Sequence, residues 1–222
     1  MGYSRYCYMA YVIASLYPVL DASLLPRDNR IIFIKRLVGE LLDSGVTLLQ
    51  YRNKIGSDRE VLEDAALLRT SLPVGQCVLI LNDRPDLAML SGFDGVHVGQ
   101  EDLSPAAARA IVGEGRIVGV STHNGSQLRI AAEAPVDYIA IGPIFPTFSK
   151  QTLDPVLGME GIRLARTLTS RPLVAIGGIT RENCKQVKDA GADSVAVISS
   201  LFQSPSGESP AKVARDFLAR LR

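Results

Sequence analysis

The chain has no tryptophan, two histidines and three cysteines among its 222 residues. Aromatic residues make up only 6%, which leaves few flat platforms for stacking nucleic-acid bases. Neither sign of charge is in surplus: 24 basic residues face 23 acidic ones, a net charge of +1. A sequence-independent grip on a phosphodiester backbone needs a basic excess, so no nucleic-acid partner is expected. A local cationic pocket is compatible with this balance, because net charge averages over the whole surface. Long apolar runs are also lacking. The longest stretch without a charged residue, 6–20, falls short of the roughly 20 apolar residues that a membrane span requires. It has no A-x-A cleavage pattern of a secretory signal, and its second half reads as a first buried strand. No membrane partner is expected. Met9 offers an alternative start, which would make residues 1–8 an extension.

The cysteines, Cys7, Cys77 and Cys184, are odd in number and form no C-x-x-C pair. That pattern disfavours a disulfide framework and a structural zinc site, and points to a reduced, cytoplasmic protein.

What is present is a chain able to bury a core: 47% apolar and 21% charged residues. Short runs of Val, Ile, Leu, Ala and Tyr predict strands near 15–20, 46–50, 77–81, 94–98, 116–121, 136–142, 172–176 and 193–198. These runs are almost continuously apolar, as in strands buried on both faces. Amphipathic stretches separate them. Ile31, Ile34, Leu37, Val38, Leu41 and Leu42 recur at helical spacing, with Asp28 as the expected N-cap. Ser57 with Glu60 reads as a capping box, Ser104-Pro105 as a cap followed by proline at the first helical position, and Thr180 with Asn183 as a weaker helix start. Gly45, Gly113 and Gly191 are placed to end helices. Eight strand–helix units predict a closed (β/α)8 TIM barrel over residues 15–222 as one domain, with 1–14 an N-terminal extension of no assigned role. An open doubly wound sheet is the alternative, but Asp21-Ala22-Ser23 is no glycine fingerprint. No sequence repeat beyond the strand–helix rhythm is evident.

Barrels of this kind carry their chemistry where strands end. The predicted strands end in Gln50-Tyr51-Arg52-Asn53-Lys54, Asn82-Asp83-Arg84, Gly99-Gln100-Glu101-Asp102, Ser121-Thr122-His123-Asn124, a 142–150 loop, Gly177-Gly178-Ile179 and Ser199-Ser200. Residues two apart in extended chain share a face, so Gln50, Arg52 and Lys54 would point one way and suit a diphosphate. A solvated loop with scattered charges is the plainer explanation. Asp83 and Asp102 are a candidate pair for Mg2+, which takes one or two carboxylates plus waters and phosphates. Helix capping would equally explain Asp102, and Glu101 could replace it as a ligand. Gly177-Gly178 and Ser199-Ser200 match the phosphate cradle that this fold builds in its last two loops, or are simply tight turns. His97 reads as a wall residue of strand 4, and His123 as able to reach the site. No G-x-S-x-G elbow, triad or zinc cluster is present.

Taken together, these motifs, with Gly95-Val96-His97-Val98, Gly119-Val120-Ser121, Gly142-Pro143-Ile144-Phe145-Pro146-Thr147, Lys150, Ala175-Ile176-Gly177-Gly178-Ile179 and Val197-Ile198-Ser199, resemble the thiamine-phosphate synthase family along nearly the whole chain. The resemblance implies a Mg2+-dependent transferase. It would join a pyrimidinylmethyl diphosphate to a thiazole phosphate, or a carboxylated form of that thiazole. It also implies that Gln50, Tyr51, Arg52, Asn53, Lys54, Asn82, Ser121 and Lys150 hold the pyrimidine diphosphate. Asp83 and Asp102 would bind Mg2+. Thr147, Phe148, Ser149, Gly178, Ile198 and Ser199 would hold the thiazole phosphate. Arg52, Lys54, Ser121 and Lys150 would serve catalysis. Departures are Ser149, where the family commonly has threonine, and Leu20, where threonine is usual; Pro18 lacks an amide donor, so strand 1 is expected to pair imperfectly. Two other functions stay open: a thiazole tautomerase using His123 as acid or base, and a noncatalytic phosphate-ligand binding protein. The partners implied are small molecules, and a homo-oligomer is compatible with all three readings. The 143–158 loop is the expected lid.

Overall fold

The computed structural model describes residues 13–73, 75–147, 154–204 and 207–222. Eight parallel strands form a closed barrel in sequential order. They are β1 (Leu16–Asp21), β2 (Leu48–Arg52), β3 (Val78–Asn82), β4 (Gly95–Val98), β5 (Ile117–Thr122), β6 (Tyr138–Ile141), β7 (Leu173–Ile176) and β8 (Ser194–Val197). The helices are α1 (Arg30–Asp43), α2 (Asp58–Ser71), α3 (Pro85–Leu90), α4 (Pro105–Val112), α5 (Gly125–Glu133), α6 (Gly158–Leu168), α7 (Cys184–Asp189), α8 (Ser199–Phe202) and α9 (Pro210–Arg220). The expected TIM barrel is therefore the observed one. Most strands begin one or two residues later than the apolar runs do, and β2 also ends two residues later, which draws Arg52 into the strand itself.

Barrel closure depends on β1, which pairs with β8 through Leu16–Pro18 and with β2 through Val19–Asp21. Pro18 lies in register with Val197 and does not open the barrel. Local signals account for several helix starts. The Ser57–Glu60 capping box is complete, and Ser104 caps α4 ahead of Pro105. α1 departs from expectation. It begins after Asn29, whose backbone is left-handed (φ 57°), so Asp28 is not its N-cap. Ile31 is exposed at 53%, and the buried face of α1 is Ile34, Leu37, Val38 and Leu41. Asn183 precedes α7 without capping it; its Oδ1 accepts from the Thr180 amide at 2.8 Å instead. Cys77 and Cys184 are free and buried, and burial pushes the Cys77 thiol up to about 12; Cys7 lies outside the described residues. No described helix is long and apolar enough to cross a membrane.

Two cores result. An outer core lies between strands and helices, and an inner one, including Tyr17, Val19, Leu48, Ile80, Tyr138, Ala140, Val174 and Ala196, fills the barrel. The alternation of a strand sends successive side chains to one or the other.

The fold also contains a repeat whose pairings the sequence did not disclose. Asp94, Asp137 and Asp193 each stand one residue before an even-numbered strand. Each carboxylate accepts the amide of a residue in or near the start of the preceding strand: Leu79 at 2.8 Å, Val118 at 2.7 Å and Leu173 at 2.8 Å. Each also pairs with an arginine from a helix two units back: Arg69 at 3.2 Å, Arg109 at 2.5 Å and Arg166 at 2.8 Å. The repeating unit is thus two strands and two helices, with Thr47 at the corresponding position before β2. In sequence the three units share a short Asp-x-(Val/Ile)-x-(Val/Ile) string and the distant arginine. Asp137→Ala strands the Val118 amide and leaves the mostly buried Arg109 with carbonyl partners but no counter-charge, and is expected to lower the unfolding free energy by about 2–4 kcal/mol. Urea unfolding measures this; a loss within error of zero would leave the pair without structural weight.

Candidate functional site

A cavity of about 1070 Å3 opens at the C-terminal ends of the strands. Its volume is at the upper end of the range of small-molecule sites. Its floor is polar although the strands that form it read as apolar. Gln50 Nε2 donates to the Tyr17 hydroxyl at 2.8 Å, and the Tyr17 and Tyr138 hydroxyls lie 2.8 Å apart. His97 then bridges Tyr138, through Nδ1 at 2.8 Å, and Ser121 Oγ, through Nε2 at 2.8 Å. This chain of hydrogen bonds crosses the barrel from β2 to β5. It needs a glycine. In the register, Tyr138 neighbours Gly119, which in turn neighbours His97. A Cβ on Gly119 would stand 2.0 Å from the Tyr138 ring. Without that Cβ the Tyr138 ring reaches across to stack on His97, with centroids 5.5 Å apart and planes at 21°.

Above the floor, charges are paired across neighbouring strands. Arg52 forms a short ion pair with Asp21, whose Oδ1 accepts from the Ser23 hydroxyl at 2.6 Å and amide at 3.0 Å. Burial pushes the Asp21 carboxyl up, but the Ser23 and Arg52 hydrogen bonds outweigh it and hold the group below its usual range. Lys54 forms a short ion pair with Asp83, and its Nζ stands 3.9 Å from Asp102 Oδ1. Asp83 takes a left-handed backbone (φ 68°), and its amide donates to the His97 carbonyl at 2.7 Å, which holds the end of β3 against β4. Asp102 is not the cap of α4. Its Oδ2 accepts the Gly99 amide at 2.7 Å, and it faces Asp83. Burial and the adjacent Asp102 carboxylate raise Asp83, so this pair favours a bound cation. Two carboxylates are the number that Mg2+ ordinarily takes from a protein, with phosphate and water completing its shell. Among the described residues no third His, Cys, Asp or Glu joins them.

The opposite rim is shaped by two glycines, with Thr180, Arg181, Ser199 and Ser200 also lining it. Gly177 and Gly178 have φ of 101° and 64°. A Cβ on Gly178 would meet the Pro146 carbonyl at 2.5 Å and Phe145 Cβ at 2.7 Å. Glycine there lets the β6 loop close onto the β7 loop, and Thr147, Ile198 and Ser199 all line the cavity. The short α8 begins at Ser199, in the position where barrels of this fold place a phosphate.

The family model described as "Thiamine monophosphate synthase" matches residues 16–201. The chain belongs to the thiamine monophosphate synthase family. A thiamine-phosphate synthase of Koribacter versatilis is 56% identical over 190 residues, 86% of this chain and 90% of that protein. One from Chloroflexus aurantiacus is 41% identical over 187 residues, 84% of each. Among solved structures, a thiamine phosphate pyrophosphorylase from Pyrococcus furiosus superposes with a TM-score of 0.81 at 30% identity, covering 93% of this chain and 95% of that one. The activity is that of the family, thiamine-phosphate synthesis, a transfer reaction on small-molecule substrates.

Within this family framework, Gln50, Arg52, Lys54, Asn82, Asp83, Asp102, Ser121, Thr147, Gly178, Ile198 and Ser199 all line the one cavity. Two expected ligand-binding residues do not. Tyr51 lies in the outer core and is fully buried, because alternation along β2 turns it away from Gln50 and Arg52. Asn53 spends its side chain on Tyr51 and on its own loop. Phe148, Ser149 and Lys150, within the 148–153 part of the expected lid, lie outside the described residues. Tyr17, Asp21, His97 and Tyr138 were not expected at the site. A parity signal exists for them: counted by twos along their strands, they fall on the same face as Gln50 and Arg52. His123 lines the cavity, with Nδ1 2.7 Å from the Gly142 carbonyl and 3.5 Å from Asp154 Oδ2.

Asp21→Asn is expected to lower the unfolding free energy at pH 7 by about 1–3 kcal/mol. A carboxylate with a depressed folded-state pKa adds stability above its unfolded pKa, and that stability is lost as pH falls through the folded value. The gap between wild type and variant should therefore close below roughly pH 4. Unfolding titrations across pH test this, and a gap that does not vary with pH would contradict it.

Proposed function

We propose that the chain joins 4-amino-2-methyl-5-pyrimidinylmethyl diphosphate to 4-methyl-5-(2-phosphoethyl)thiazole in the cytoplasm, giving thiamine phosphate and pyrophosphate. The observation that carries this reading is the division of one cavity. Arg52, Lys54, Asp83 and Asp102 stand at the ends of β2, β3 and β4, and Gly177, Gly178, Ser199 and Ser200 line the rim at β7 and β8. A diphosphate and a phosphate monoester can lie side by side with their reacting ends between. In this reading Gln50, Arg52, Lys54, Asn82, Ser121 and Lys150 hold the pyrimidine diphosphate. Thr147, Phe148, Ser149, Gly178, Ile198 and Ser199 hold the thiazole phosphate.

The chemistry asks little of the protein beyond this. The methylene C–O bond breaks and its electron pair leaves with pyrophosphate. The thiazole nitrogen lone pair then forms the C–N bond to the pyrimidine methylene cation. No protein nucleophile is required. Arg52, Lys54 and Lys150 stabilise charge as it builds on the leaving group, and the cavity supplies orientation. Asp83 and Asp102 would hold Mg2+, which when bound neutralises the leaving diphosphate. The Asp21–Arg52 pair keeps the guanidinium aimed before substrate arrives.

The deciding experiment mixes purified protein with both substrates, with and without Mg2+, and detects thiamine phosphate by mass. Mg2+-dependent product is expected. No product from folded protein would favour the thiazole tautomerase, which needs no diphosphate site, or the noncatalytic binding role. Lys150→Ala is expected to lower turnover by about 10²-fold or more, read by the same assay; near-normal turnover would remove Lys150 from the leaving-group role.

A further inference from the structure

Outside the barrel, behind β2, a second polar cluster touches no part of the cavity. Tyr51 is buried between β2 and the helix layer, and its hydroxyl donates to Asp64 Oδ2 in a short bond. Asp64, on α2, is 3% exposed and also receives both arms of Arg30 from α1, with Nε at 2.7 Å from Oδ1 and Nη2 on Oδ2. From the other side Asn53 Nδ2 donates to the Tyr51 oxygen at 3.0 Å. Asn53 Oδ1 accepts from the amides of Ile55 at 3.1 Å and Gly56 at 2.8 Å. The chain of bonds therefore runs from α1 through α2 and β2, and ends on the two amides that directly follow Lys54.

Each link dictates the next. An ionised Asp64 only accepts, so Tyr51 gives it its one proton. The Tyr51 oxygen must then accept, and Asn53 must present its NH2 group to it. That leaves the Asn53 carbonyl toward the loop, where two amides meet it. A flipped amide would set NH2 against two N–H groups and an oxygen against a hydroxyl with no proton left to give. The seat is tight: a Cβ on Gly56 would stand 2.7 Å from Asn53 Nδ2. A buried ion pair is a weak source of stability, since well-packed apolar residues of the same volume often do as well. What this cluster supplies that an apolar one does not is direction.

We propose that Arg30, Asp64, Tyr51 and Asn53 are positioning residues that aim Lys54 from outside the barrel and so set the affinity of the diphosphate end of the cavity. The inference rests on the assignment of Lys54 to the diphosphate, and its test separates the two. Tyr51→Phe keeps the ring and removes two bonds, and Asn53→Ala removes the hold on the loop amides. Lys54→Ala is the reference. Full-length variants are titrated with pyrophosphate plus Mg2+ and, separately, with the thiazole phosphate, and their melting is followed. Tyr51→Phe and Asn53→Ala are expected to weaken pyrophosphate binding about fivefold to tenfold, and thiazole phosphate binding less than twofold. General loosening would weaken both ligands alike and would overturn the proposal, as would unchanged pyrophosphate affinity beside a weakened Lys54→Ala. If Lys54→Ala itself binds pyrophosphate normally, the diphosphate assignment fails and the positioning role with it. Asn53 sits in a loop, so its variant keeps the test open should Tyr51→Phe fail to fold.

Discussion

Closing eight parallel strands into a ring imposes one parity on all of them, because each strand's alternation must agree with both neighbours. In β2 that parity places Gln50 and Arg52 inside and Tyr51 outside. A slip of one residue would exchange them. The cavity would lose its amide and its guanidinium, and the helix layer would receive a charge it cannot solvate. The register of Val19 with Gln50, Gln50 with Ile80 and Ile80 with Gly95 fixes this arrangement around half the ring. The site and the core are therefore two consequences of the same closure.

The polar floor shows what closure allows. Tyr17, Gln50, His97, Tyr138 and Ser121 come from five different strands and meet through successive hydrogen bonds of 2.8 Å. Buried polar groups left unpaired would cost stability, and here each is answered by a group from another strand. The missing side chain of Gly119 makes room for this contact. Charges higher in the cavity follow the same rule: Arg52 has Asp21, and Lys54 has Asp83. Arg52 and Lys54 are thus held in place by carboxylates, and the chain's net charge of +1 conceals a local arrangement of opposed charges.

Much of this was legible in the residues. The strand–helix rhythm predicted the barrel, and polar groups at strand ends predicted which edge would carry chemistry. The Ser57 and Ser104 caps were readable because capping depends on residues within one turn. Asp28 failed as a cap because its neighbour Asn29 takes the left-handed turn. Tyr51 and Asn53 were misplaced because a motif read as a string does not say which residues face outward. The pairing of Asp94, Asp137 and Asp193 with arginines was not legible because the partners come from helices two units back, 25, 28 and 27 residues away.

By itself the sequence determined the elements, their order and the chemical types gathered at the C-terminal rim, since these follow from local propensity, apolar periodicity and the chain path of a strand–helix repeat. Only the tertiary structure decided which groups touch. It joined Tyr17 to Tyr138, 121 residues apart, set Asp102 against Asp83 and Lys54 rather than on its own helix, and turned Tyr51 to Asp64. Those contacts depend on the register and curvature of a closed sheet, which no local stretch of chain encodes.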